Sequence, residues 1–156
     1  MKFLVTGVNG QLGHDVMNEL EKRGHEGVGS DLADQYAGVA DGSAVTKMPY
    51  VSLDITDKEA VEKIIKDIKP DVVIHCAAWT AVDMAEDDDK VELVRAVNAG
   101  GTQNIAGACK TIDCKMLYLS TDYVFDGQGE EPWEPDCKDY KPLNVYGQTK
   151  LEGEMA

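Results

Sequence analysis

The chain has 156 residues, 43% hydrophobic and 28% charged, a makeup suited to one globular domain with a sizeable core. Its 29 acidic residues against 15 Lys and Arg give a formal net charge of −14, which excludes nucleic acid and anionic membrane surfaces as partners but not an anion held by backbone N–H groups. Cys76, Cys109, Cys114 and Cys137 form no Cys-x-x-Cys pair, the three histidines complete no zinc pattern, and no long apolar leader or span is present, so the expectation is no metal, reduced thiols and a cytoplasmic protein.

Phe3, Leu4 and Val5 make a short apolar, β-prone run, and Gly7, Gly10 and Gly13 follow at three-residue spacing. His14 to Arg23 continue in a helical pattern, with Leu12, Val16, Met17 and Leu20 on one face. Strand, glycine turn and helix are the setting in which a glycine fingerprint carries chemistry. Gly7 allows the tight turn, Gly10 lets the backbone approach a pyrophosphate, and Gly13 lets the helix pack close to the sheet. Free N–H groups and the helix dipole then favour phosphate. The spacing departs from the commoner Gly-x-Gly-x-x-Gly, and glycines after a strand also make simple turns.

Gly24 stops the first helix, and His25 to Ser30 fit a second strand ending at Asp31. Asp31 stands where a ribose hydroxyl finds its acceptor, although a solvated loop aspartate in so acidic a chain reads the same way. Residues 32–49 show no period and read as a long loop. A third strand covers Tyr50 to Leu53, followed by Asp54 and Ile55. Thr56 with Glu59 reads as a capping box for a helix to Ile68, stopped by Lys69-Pro70. Asp71 to Cys76 read as a parallel strand buried on both faces, with Ala77, Ala78, Trp79 and Thr80 after it. A long helix is expected over 86–110, with Asn98 bending or capping it rather than touching a ligand.

Lys115 to Ser120 give a fifth strand, and Thr121 at its end joins the ligand-binding edge of an open α/β sheet. Residues 126–143 are irregular, and a last helix from Asn144 carries Tyr146 and Lys150. Five strands alternating with helices and no repeat predict a doubly wound parallel sheet. Tyr146 and Lys150, four apart, share a helix face. A lysine ammonium lowers the tyrosine pKa so that the pair can exchange a proton with a carbonyl or alcohol. Thr121 is placed to hydrogen-bond the same oxygen.

The stretches TGVNGQLG, DVVIHCAAWTAVDMAE, VNAGGTQNIA, LSTDYVFDG and PLNVYGQTKLEGE resemble the extended short-chain dehydrogenase/reductases, in the branch that reduces the C4 keto group of dTDP-4-dehydro-L-rhamnose. The resemblance covers nearly the whole chain but only about the N-terminal half of such an enzyme. It implies that residues 1–156 are an NAD(P)-binding Rossmann domain, with the C-terminal substrate part absent from the chain. It implies NADH or NADPH as cofactor, a nucleotide sugar as substrate, and Gly10, Gln11 and Leu12 at the pyrophosphate. Asp31 would hold the adenosine ribose, Asp54 and Ile55 the adenine, and Ala78, Trp79, Thr80 and Leu119 would lie along the cofactor. Thr121 and Asp122 would contact the sugar nucleotide, Tyr146 would donate the proton, and Lys150 would bind the nicotinamide ribose.

Two cousins stay open. Sugar-nucleotide 4,6-dehydratases place a glutamate where this chain has Tyr123, and the regulatory subunit of methionine adenosyltransferase uses the same fold without catalysis. An uncovered sheet edge further predicts self-association, and a last helix that ends about one turn after Lys150, with the substrate part absent, predicts weakened dinucleotide binding and no turnover by the 156 residues alone.

Overall fold

The computed structural model describes residues 1–156. Five strands, β1 (Lys2–Thr6), β2 (Glu26–Asp31), β3 (Tyr50–Ser52), β4 (Val72–His75) and β5 (Lys115–Tyr118), alternate with helices. The helices are α1 (Gln11–Lys22), α2 (Lys58–Ile68), α3 (Val91–Arg95), α4 (Thr102–Thr111) and α5 (Val145–Glu154). The strands pair in parallel in the order β3-β2-β1-β4-β5, the doubly wound arrangement expected. The order reverses between β1 and β4, so a crevice opens there at the carboxyl ends of the strands.

β1 alternates Leu4 and Val5, both fully buried, because helices cover both faces of a parallel sheet. Leu4 joins Val61, Ile65, Val73 and Ile105 on one side, and Val5 joins Val8, Met17 and Leu20 on the other. No helix is long and apolar enough to cross a membrane.

Three local expectations are corrected. The buried face of α1 is Gly13, His14, Met17 and Leu20, whereas Leu12 is 49% exposed and faces the strand ends. Asp57, not Thr56, caps α2, accepting the Ala60 N–H at 3.0 Å. Thr56 donates instead to Asp54. A carboxylate at the cap both accepts the free amide and complements the helix dipole, so it displaces the hydroxyl. The region expected as one helix over 86–110 begins with a separate 3₁₀ turn, Asp83–Glu86. From Val91 it then runs through α3, a π-helical stretch Ala96–Gly101 and α4.

Residues 32–49 carry no helix and no strand, as expected. Asn9 nonetheless clasps the segment, its Oδ1 accepting the Ala37 N–H at 2.9 Å. Buried His14 holds Tyr36 at 2.6 Å and Ser43 at 2.7 Å.

Candidate active site

The strand ends surround a cleft of about 460 Å³. Gly7, Gly10, Gln11, Leu12 and Gly13 line it, followed by Asp31, Asp54, Ile55, Ala78, Thr80, Leu119, Tyr146 and Lys150. Gly7 has φ of 74°, and a Cβ there would lie 2.6 Å from the Ala77 amide nitrogen. Only glycine turns the chain so tightly against the end of β4. A Cβ on Gly13 would collide with the Gly7 carbonyl, so its close neighbour is the glycine turn rather than the sheet. Gly10 caps α1 without a side-chain bond, and the first turn of α1 holds no acidic residue. The amides there are left for an anion, and a diphosphate fits such an uncapped helix start.

At the end of β2, Asp31 accepts the Asn9 N–H on Oδ2 at 2.9 Å and the Leu32 N–H on Oδ1 at 2.7 Å. Each carboxylate oxygen keeps acceptor capacity for a hydroxyl. Asp54 accepts from the Thr56 hydroxyl at 2.7 Å and the Thr56 N–H at 2.9 Å.

α5 is seated from several directions. Asn144 caps it, accepting the Gly147 N–H at 2.7 Å, and Glu86 accepts the Val145 N–H at 2.7 Å. Arg95 pairs with Glu152 at 3.1 Å. A Cβ on Gly147 would collide with the Tyr123 carbonyl, so the first turn of α5 rests on the 3₁₀ turn Asp122–Val124. Thr121 caps that turn, accepting the Tyr123 N–H at 3.2 Å. Tyr146 meets the Tyr123 ring edge-on, with centroids 5.8 Å apart.

Burial raises the Tyr146 phenol above its ordinary value; a hydrogen bond with Thr121 draws it back, and Tyr123 and Asp122 push it further up. The expectation that Lys150 lowers this phenol is not met. Lys150 is 4% exposed, and its Nζ lies 4.2 Å from the centroid of the Tyr118 ring. An aromatic face one strand away attracts the ammonium. Burial lowers that ammonium to about 8, against an opposing pull from Glu154.

Trp79, Thr121 and Asp122 do not line the cleft. Thr121 stands at the rim beside Tyr146, whereas exposed Asp122 accepts from Thr121 at 3.2 Å. The Trp79 indole donates to the Ala81 carbonyl at 3.1 Å, so the ring follows its own chain. Asn98 caps no helix; it sits within the π-helical stretch and ties it to other parts of the chain. Its Oδ1 accepts the Trp79 N–H at 2.8 Å, and its Nδ2 donates to Thr149 at 3.1 Å. Thr6, Ser30, His75 and Ser120 also line the cleft, and none was singled out from the sequence. The signal for His75 was a titratable residue inside an apolar strand, which proves to pair in register with Thr6.

The family described as RmlD substrate binding domain matches residues 1–156. The chain is 40% identical to dTDP-4-dehydrorhamnose reductase of Streptomyces griseus over 99% of its own length and 44% of that protein. A dTDP-4-dehydrorhamnose reductase of Bacillus anthracis, solved in complex with NADP, superposes with a TM-score of 0.82 at 33% identity, covering 99% of this chain and 47% of that one. Methionine adenosyltransferase 2 subunit beta of Rattus norvegicus is 33% identical over 99% of this chain and 42% of that protein. The chain thus spans less than half the length of these relatives.

Proposed function

The chain belongs to the RmlD substrate binding domain family, and on that premise we propose that it forms the dinucleotide-binding part of an NAD(P)H-dependent reductase. The substrate would be the 4-keto sugar of a dTDP nucleotide, as in dTDP-4-dehydrorhamnose. The observation that carries this reading is one cleft lined by the glycine turn, Asp31, Tyr146 and Lys150 together.

A bound nicotinamide would supply the hydride. The uncapped start of α1 holds the diphosphate through backbone amides, and Asp31 accepts from a free ribose hydroxyl. Asp54 and Ile55 take the adenine end, while Ala78, Thr80 and Leu119 form the wall along the cofactor. Tyr146, kept protonated by burial, gives its phenolic proton to the sugar oxygen, and Thr121 at the rim positions that oxygen. Lys150, buried with its ammonium over Tyr118, binds the ribose. Thr121 and Asp122 face the substrate side. The second reading, a regulatory subunit like that of methionine adenosyltransferase, draws on the rat relative. An intact Tyr146, Lys150 and Thr121 favour the enzyme.

Equilibrium titration with NADH and NADPH tests the cofactor site. Asp31 repels a 2′-phosphate, so NADH is expected to bind at least as well as NADPH, and Asp31→Ala to narrow the difference. A clear NADPH preference untouched by Asp31→Ala would remove that role. On a chain extended to the length of its relatives, Tyr146→Phe is expected to lower keto-sugar reduction by roughly 10²-fold or more while NADH binding changes little. Reduction that survives Tyr146→Phe would favour the regulatory reading.

A further inference from the structure

His75 lies on the floor of the cleft, 1% exposed, and takes no part in the proposed proton transfer. Its partners leave one way to place the protons. The Thr102 hydroxyl donates its single proton to the Asn98 carbonyl at 2.6 Å. At its 3.2 Å contact with His75 Nε2 it therefore accepts, and Nε2 carries the hydrogen. Nδ1 of the neutral ring is then an acceptor, and the Thr6 hydroxyl donates to it at 2.7 Å. Thr6 in turn accepts the Ala77 N–H at 3.2 Å. The chain Ala77, Thr6, His75, Thr102, Asn98 has an acceptor for every donor.

One end of this chain and its central ring reach the reacting groups. Asn98 donates to Thr149, and Thr149 donates to the Tyr146 carbonyl at 3.0 Å. The His75 ring stacks on Tyr118 with centroids 6.1 Å apart. The Tyr118 hydroxyl donates to the Lys150 carbonyl at 3.0 Å, and the Lys150 ammonium lies over the same ring.

We propose that His75 is a positioning residue: neutral and protonated on Nε2, it ties the ends of β1 and β4 to the π-helical stretch and so sets Tyr146 and Lys150 at the cleft. The inference rests on the reductase reading for its function but not for its chemistry. The groups facing the ring are Thr6 from β1, Thr102 from α4, Tyr118 from β5 and the charge of Lys150 from α5. Burial, and then Lys150, push the imidazole down to about 4. A second proton, on Nδ1, would cost the bond from Thr6 and place a cation near Lys150.

The test uses the 156-residue chain. Imidazole ¹⁵N shifts, assigned with His75→Gln, read the tautomer and its titration. The expected result is hydrogen on Nε2 and no titration of this ring between pH 8 and 5. NADH titration then compares the parent, His75→Leu and His75→Gln over a pH range, with thermal melts to establish that each is folded. His75→Leu is expected to bind NADH about tenfold more weakly and to shift the alkaline midpoint of binding. His75→Gln, which can both donate and accept, should retain more of the parent's affinity and profile.

A ring that carries its hydrogen on Nδ1 or titrates near its ordinary value overturns the proposal. So does a folded His75→Leu with parental affinity and pH profile. Should His75→Leu fail to fold, the ring shifts and the His75→Gln profile decide. Should the parent bind no NADH, the cofactor reading fails and His75 loses its positioning role, while the ring shifts still report its proton.

Discussion

Lys150 keeps its proton only narrowly, since burial has brought the ammonium down to about 8. If that charge holds the cofactor ribose, NADH affinity falls as the pH rises through about 8. Lys150→Arg keeps its charge across this range and is expected to flatten the profile, whereas Lys150→Met binds weakly throughout. Fluorescence titration from pH 6 to 10 reads the difference, and an arginine variant with the parental profile would put the titration elsewhere. The raised Tyr146 phenol fits the same picture, because a proton donor must hold its proton until the sugar oxygen takes it. The spacing of Tyr146 and Lys150 was readable along the chain. That the ammonium lies over Tyr118 was not, because the ring that attracts it is 32 residues away.

Helix α5 shows how an element with little apolar patterning is held. Its buried residues are Gly147, Thr149, Lys150 and Gly153, so close backbone approach takes the place of an apolar stripe. Gly147→Ala forces a methyl against the Tyr123 carbonyl and is expected to cost roughly 1–3 kcal/mol. Gly107 offers the contrast in α4, where a Cβ meets nothing within 4 Å. Gly107→Ala is expected to stabilise by up to about 1 kcal/mol through helix propensity. Urea unfolding of both variants measures this, and a Gly147→Ala chain as stable as the parent would show that α5 is not seated on the 3₁₀ turn. Periodicity located every strand and most helices. It missed the π-helical stretch, where Asn98 bonds to Trp79 and Thr149 from other parts of the chain, contacts that no local pattern encodes.

For the molecule as a whole, His75 couples folding to pH. Its imidazole is held down to about 4 in the fold, against 6.5 when free. Between those values the unfolded chain binds the extra proton, so the ring's contribution is complete above pH 6.5 and is lost as pH falls towards 4. The shift corresponds to roughly 3 kcal/mol. Urea unfolding of the parent and His75→Gln at pH 7 and pH 4.5 isolates it, because the carboxylates titrate alike in both. Association is the second property at this scale. β5 is an edge strand with Leu117 49% exposed, and such edges pair with other chains. The net charge of −14 opposes contact, so self-association of the isolated chain is expected to grow with salt and to diminish in Leu117→Lys. Sedimentation velocity at low and high salt reads both effects, and a chain that stays monomeric at high salt would show the edge to be protected.

The sequence alone determined the doubly wound sheet, the glycine turn, the acidic end of β2 and the shared face of Tyr146 and Lys150. Each follows from backbone turns or from periods spanning a few residues, and such short-range rules survive folding unchanged. Only the tertiary structure decided that Trp79 and Asp122 stand outside the cleft, that Leu12 faces it, and that buried His75 lies between the Thr6 and Thr102 hydroxyls. These depend on contacts such as Thr6 with His75, 69 residues apart. Burial and hydrogen-bond direction there are set by elements that meet only when the sheet closes.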